Sequence, residues 1–152
     1  DPDFMVIARI EALISGSGMI EALKRADAYE KAGADAILIH SKQKEPDEIF
    51  EFAESWKGSV PIVAIPTTYD SVKISELSEH NIKMVIYANQ TLRTAHSSMF
   101  RLLKEMNHAE RISDVTEKMS SMQDIFELQE MYDIKNKEKD LERELKKLGY
   151  IN

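Results

Sequence analysis

VIARIEALISGSG, residues 6–18, begins as a strand and ends as a turn. Val6, Ile7 and Ala8 are residues that a pleated, buried ladder accepts. Arg9 and Glu11 then stand two residues apart, and alternation puts positions i and i+2 on one side of a strand. A guanidinium and a carboxylate aimed together at a strand end need each other, a cavity or a ligand, because a buried unpaired charge is costly. From alternation alone, both an internal ion pair and a ligand site remain open.

Three further apolar runs follow at intervals filled by helical patterns: Ala36–Ile39, Val60–Ile65 and Met84–Tyr87. Between them Met19, Ala22, Leu23, Ala26 and Tyr29 mark one helix face, and Gly33 fits its C-terminal stop. Pro46 suits the first turn of a second helix, with Ile49, Phe52, Ala53 and Trp56 at i, i+3, i+4, i+7 and Gly58 closing it. A short helix is predicted over Ile74–Glu79. A long one carries Leu92, Ala95, Met99, Leu103 and Met106, whose Met99 and Met106 read as core. Strands alternating with helices predict parallel βαβ units. Polar residues follow every strand at the same end: Arg9 and Glu11, His40 and Ser41, Thr67 and Thr68, and Asn89. That end is where parallel α/β folds gather their chemistry. Hydroxyls and amides at such places also cap helices and close turns.

Beyond about Ser113 the pattern changes. Met122, Ile125, Phe126, Leu128 and Met131 predict one more amphipathic helix. The charged stretch Lys135–Lys147 reads as a solvated helix with Leu141, Leu145 and Leu148 along one edge. His80, His96 and His108 have no ligand-like spacing to acidic partners and read as surface or interface residues.

Bulk properties narrow the classes. The 152 residues are enough for one ordinary domain. Twenty basic against 27 acidic residues give a net charge of -7, which argues against a nucleic-acid footprint but not against anionic small molecules. The absence of cysteine excludes disulfides and thiolate metal sites within these residues and suits a reducing cytoplasm. No apolar run has the length of a membrane span, and the acidic start does not resemble a signal peptide.

IARIEALISG, EALKRADAYEKAGADAILIHSK, PDEIFEFAESW, VPIVAIPTTY and VIYANQTLR occur in order. Together they resemble the phosphoenolpyruvate mutase family of the isocitrate lyase superfamily, and SMQDIFELQEM is similar to its C-terminal helical segment. The resemblance reaches to about Asp133, with the charged tail outside it, and implies an α/β fold: the second half of a (β/α)8 barrel over residues 1–112, followed by a C-terminal helical extension that, with the tail, is expected over 113–152. It implies magnesium-dependent interconversion of phosphoenolpyruvate and phosphonopyruvate, with Mg2+ ligands and a gating loop in a first half that these residues do not include. Arg9 matches the arginine that binds the phosphoryl or phosphonyl group, His40 a histidine at the same anionic end, and Glu11 a carboxylate that orients Arg9. No metal ligand is expected in this segment. Ser41 and Lys42 are expected to shape the loop that follows. A homodimer or homotetramer with helix exchange near Leu92–Met106 is also implied. Gln90 and Ser17 depart from the family pattern at the edge of the site. Phosphonopyruvate hydrolysis and a non-catalytic half-barrel module are the alternatives.

Overall fold

The computed structural model describes residues 1 and 3–151. They form two compact units, Asp1–Arg93 and Thr94–Asn152. The first unit holds β1 (Ile7–Ile10), α1 (Gly18–Lys31), β2 (Ala36–Ile39), α2 (Asp47–Ser55), β3 (Ile62–Ala64), α3 (Ile74–Glu79) and β4 (Ile82–Val85). All neighbouring strands are parallel, in the order β1-β2-β3-β4. Ile7 lies opposite Ala36 and Ile10 opposite Ile39, while Ile37 lies opposite Ile62. Parallel neighbours need crossover connections, and the helices supply them.

Each strand alternates between two faces. Ile10, Ile37, Ile39, Ile62, Ala64 and Ile82 meet Ala22, Ala26, Ile49, Phe52 and Leu77 of the helices in the main core. Ala36, Leu38, Val63 and Ile65 form a smaller cluster with Ile7 and Ile86. Continuing that second alternation along β1 and β2 reaches Arg9, Glu11 and His40. The helix-covered face thus carries the stability, and the other face runs straight into the polar strand ends.

Local chemistry sets the boundaries. The α1 helix stops at Ala32, and Gly33 follows with φ +96, a conformation that a side chain disfavours. Glu30 accepts hydrogen bonds from Ser59 N (2.6 Å), Ser59 Oγ (2.7 Å) and Val60 N (3.0 Å), tying α1 to the entry of β3. These three donors hold the Glu30 carboxyl below its ordinary pKa. Pro46 lies just outside α2 at its N-cap rather than within the first turn. Gly58 lies beyond the end of α2 at Ser55; a Cβ there would meet the Trp56 ring at 2.0 Å.

One strand reading narrows, Val60–Ile65 to β3 at Ile62–Ala64, and another shifts. The run Met84–Tyr87 becomes β4 at Ile82–Val85, because Ile82 pairs with Ile62 although exposed Lys83 interrupts the apolar run. The register slips between Ile62 and Val63, so Val63 lies opposite Met84.

The second unit carries most of α4 (Gln90–Met106), then α5 (Ser113–Thr116), α6 (Met122–Leu128) and α7 (Met131–Lys147). Ser121 caps α6 by accepting a hydrogen bond from Asp124 N at 3.1 Å, and Asp124 reciprocates to Ser121 N at 2.9 Å. Met131 belongs to α7 and not to α6, because Glu130 takes a left-handed conformation (φ 52) that separates the helices. The Met99 and Met106 reading also needs correction: they are 59% and 48% exposed. Periodicity identified the apolar stripe of α4, but within its own unit the described residues leave that stripe exposed. None of the α4 residues is buried.

Candidate active site

The C-terminal ends of β1, β2, β3 and β4 bring a polar group apiece to one rim. Arg9 precedes the last residue of β1, and its Nε donates to Glu11 Oε1. Both side chains are about half exposed, so this is an ion pair at an open rim and not within the core. The bond engages Nε. Among the described residues the two terminal guanidinium nitrogens have no protein partner, which leaves the forked end free for a planar or tetrahedral anion.

His40 follows β2 directly. Its Nδ1 is buried without a hydrogen-bond partner among the described residues. Burial lowers the His40 pKa below its ordinary 6.5, and the positive charge of Arg9 lowers it further; Glu11 and the Ile65 backbone act in the opposite direction. The resting imidazole is therefore held neutral beside a guanidinium.

Ser41 has a structural task. Fully buried, its hydroxyl donates to Glu48 Oε2 in the first turn of α2 and accepts from Gln43 N at 3.0 Å. Thr68 Oγ1 donates to the Ser41 carbonyl at 2.7 Å and so joins the ends of β2 and β3. Lys42 Nζ reaches the Ile14 carbonyl at 3.3 Å, pinning the loop after β2 to the loop after β1.

Tyr69 was not singled out by sequence reasoning. It is fully buried, its ring centroid lies 6.2 Å from that of His40, and its hydroxyl has no partner among the described residues. Burial pushes its pKa up to about 12 against a smaller lowering by the nearby Ile65 backbone, which lies outside hydrogen-bonding geometry, so it stays a neutral phenol. The available signal was a tyrosine immediately after the two threonines at a strand end. Asn89 Oδ1, beyond β4, is likewise buried and unpartnered, while Asn89 N donates to Gln90 Oε1 at 3.1 Å. These are three orphaned buried polar atoms, from His40, Tyr69 and Asn89, and each follows a strand at the same end. Buried polar atoms are nearly always bonded, so three such gaps together mark a place where something other than these residues supplies the partners.

His80, whose spacing along the chain is not ligand-like, meets one acidic residue in the fold. Its Nδ1 lies 3.1 Å from Glu54 Oε1, and its ring stacks on Phe50 with centroids 3.8 Å apart. The partner is on a neighbouring helix and was invisible to spacing along the chain. This pair ties α2 to the end of α3, away from the strand ends.

The strand ends do not themselves suit a magnesium ion, which favours several oxygen ligands. Glu11 is committed to Arg9 and Glu48 to Ser41. Among the described residues, no three His, Asp or Glu side chains are placed to share a metal. No helix among them is long and apolar enough to cross a membrane.

A parallel α/β sheet with polar side chains gathered at the carboxyl ends of its strands defines the class. Residues 1–107 match the phosphoenolpyruvate phosphomutase family model, and the chain belongs to that family. It is 42% identical over 139 residues to phosphoenolpyruvate phosphomutase of Tetrahymena pyriformis, covering 91% of this chain and 46% of that protein. The crystal structure of phosphoenolpyruvate phosphomutase from Streptomyces platensis subsp. rosaceus superimposes with a TM-score of 0.87 at 40% identity, covering 92% of this chain and 49% of that one. A phosphonopyruvate hydrolase structure in complex with oxalate and Mg2+ gives a TM-score of 0.84 at 42% identity, covering 90% and 48%. The four-stranded unit and its helices therefore correspond to a fragment of the family's (β/α)8 barrel. The chain spans about half the length of these relatives.

Proposed function

We propose that these residues form the second half of a phosphoenolpyruvate mutase barrel, residues 1–112, with a helical extension over 113–152. Arg9 and His40 hold the phosphoryl end of phosphoenolpyruvate or phosphonopyruvate. The observation that carries this reading is Arg9, fixed through Nε by Glu11 with its fork free, beside a neutral His40 whose Nδ1 lacks a partner.

Moving a phosphoryl group between oxygen and carbon asks for stabilisation of dispersed negative charge more than for a strong base. Arg9 supplies a permanent charge and two parallel donors. Glu11 keeps the guanidinium plane aimed across the rim. His40 offers a hydrogen bond to the same group, and an anion bound there offsets the Arg9 charge that keeps His40 deprotonated. The magnesium seen with a related hydrolase would supply charge neutralisation at the opposite, carbonyl end of the substrate, held by residues outside this segment. The protein is proposed to act as a dimer or tetramer in the cytoplasm.

A second reading has its own support. The hydrolase structure is as similar in sequence as the mutase relatives, and admitting one water to the same intermediate turns transfer into hydrolysis. Phosphorus NMR of the full-length protein supplied with phosphonopyruvate and magnesium separates them. The mutase reading expects phosphoenolpyruvate as the dominant product. Stoichiometric inorganic phosphate without phosphoenolpyruvate would replace it with hydrolysis.

A further inference from the structure

The family model matches residues 1–107, and α7 lies outside that match, although relatives align over about nine tenths of the chain. Along α7 and its C-cap Leu148, the residues Met131, Ile134, Glu138, Leu141, Leu145 and Leu148 are spaced 3, 4, 3, 4 and 3 apart, which is the alternating a and d spacing of a heptad seam. The row stands open: Ile134, Leu141 and Leu148 are 52%, 55% and 68% exposed. The positions flanking this seam change sign along the helix. Lys135 and Lys137 flank its first half, and Glu142 and Glu144 flank its second. Among the described residues Lys135, Lys137 and Glu144 form no ion pair, whereas Glu142 is engaged by Lys146 at 3.0 Å.

We infer that α7 pairs with α7 of a second copy of this chain in an antiparallel two-stranded coiled coil. Running the copies in opposite directions sets Met131 against Leu148 of the partner subunit, Ile134 against Leu145 of the partner subunit, and Glu138 against Leu141 of the partner subunit. The same alignment brings Lys135 to Glu142 of the partner subunit and Lys137 to Glu144 of the partner subunit. Each contact occurs twice, so the pairing is self-complementary and closed under a two-fold axis. A parallel pairing would also match the flanking charges, but it would place Glu138 against its own copy inside the seam. Like carboxylates there oppose association, and the antiparallel arrangement separates them. The surface thus selects a second copy of itself, and its orientation follows from the charged residue in the apolar row.

The test uses full-length protein in which any cysteine outside these residues is changed to Ser; residues 1–152 contain none. Chains carrying Glu138→Cys and chains carrying Leu141→Cys are made separately and together, then oxidised at low micromolar concentration. Both positions are exposed, so neither change disturbs a core. A disulfide forms only between residues brought into close opposition. The expected product is a covalent dimer containing one chain of each kind, identified by intact mass, with neither variant forming such a dimer alone. Reversing Lys135→Glu and Lys137→Glu in both chains should lower its yield about tenfold, and adding Glu142→Lys and Glu144→Lys should restore it. Covalent dimers of Glu138→Cys chains alone would make the pairing parallel and overturn the proposal. Absence of any crosslink, or a yield indifferent to charge reversal, would overturn it too.

Discussion

The helices α2 and α4 carry the same kind of message and meet different fates. In α2, Ile49 and Phe52 are fully buried against the sheet. In α4, Met99, Phe100, Leu103 and Met106 keep the helical spacing yet remain 48–63% exposed. Periodicity specifies which face of a helix is apolar; burial also needs a surface opposite that face. Within Asp1–Arg93 the sheet supplies it. Within Thr94–Asn152, Val115 is the buried large apolar residue among those described.

The strongest test of that contrast is a pair of truncations. Phe52→Ala should cost about 3–5 kcal/mol of folding stability, from lost transfer energy and the cavity left behind. Leu103→Ala, at a position that stands exposed among the described residues, should cost less, and as little as about 1 kcal/mol where no partner subunit covers the α4 stripe. Urea denaturation of the full-length protein measures both. A cost for Leu103→Ala equal to that for Phe52→Ala would mean that a surface outside these residues covers the α4 stripe.

A second comparison opposes the helix-covered face of the sheet to its polar rim, where substitutions should harm turnover and spare stability. Arg9→Lys keeps the charge but loses the fork. It should cost about 3 kcal/mol of transition-state stabilisation, roughly a hundredfold in kcat/KM, with the melting temperature nearly unchanged. His40→Ala should reduce turnover less, since Arg9 remains. Full activity in Arg9→Lys would return Arg9 and Glu11 to a structural ion pair.

Tyr69→Phe sharpens the same division with a smaller effect. Removing a buried hydroxyl that has no partner among the described residues should leave stability unchanged or slightly raised, whereas a bonded hydroxyl would cost about 1 kcal/mol on removal. Thermal denaturation without substrate reads the difference. A loss larger than about 1 kcal/mol would show that the hydroxyl is satisfied within the folded protein.

Much of the sheet unit was legible because strands and helices alternate with punctuation between them. The bounds Ala36–Ile39 and Ile74–Glu79 follow from the sequence as they stand in the structure. β4 shifted because its first residue is separated from the apolar run by an exposed lysine, and pairing with β3 settles that only in three dimensions. The four residues of α5 carry too little periodicity to announce a helix. At the rim, alternation alone placed Arg9 beside Glu11. His40 was visible through its place after β2 and through family resemblance. Tyr69 was not, since its aromatic ring reads as core and the orphaned state of its hydroxyl depends on what the fold packs around it. The His80–Glu54 pair was hidden for the same reason: it joins different helices.

The central claim is that Arg9 and His40 share one bound anion, and the titration of His40 tests it most directly. Because His40 binds its proton less readily in the folded chain than at the ordinary value of 6.5, its contribution to stability is present above pH 6.5. That contribution is lost as pH falls through 6.5 towards the lower folded pKa. The measurement is NMR of full-length protein labelled at histidine Cε1, with the His40 signal assigned by its absence in His40→Gln. The spectrum is followed against pH with and without phosphonoacetate as a non-reacting phosphonate probe. The account predicts a midpoint below 6.5 in the free protein and a rise when the phosphonate binds, as its negative charge offsets that of Arg9. In Arg9→Ala the free midpoint should already be higher. A His40 midpoint that does not move at saturating phosphonate would contradict the claim.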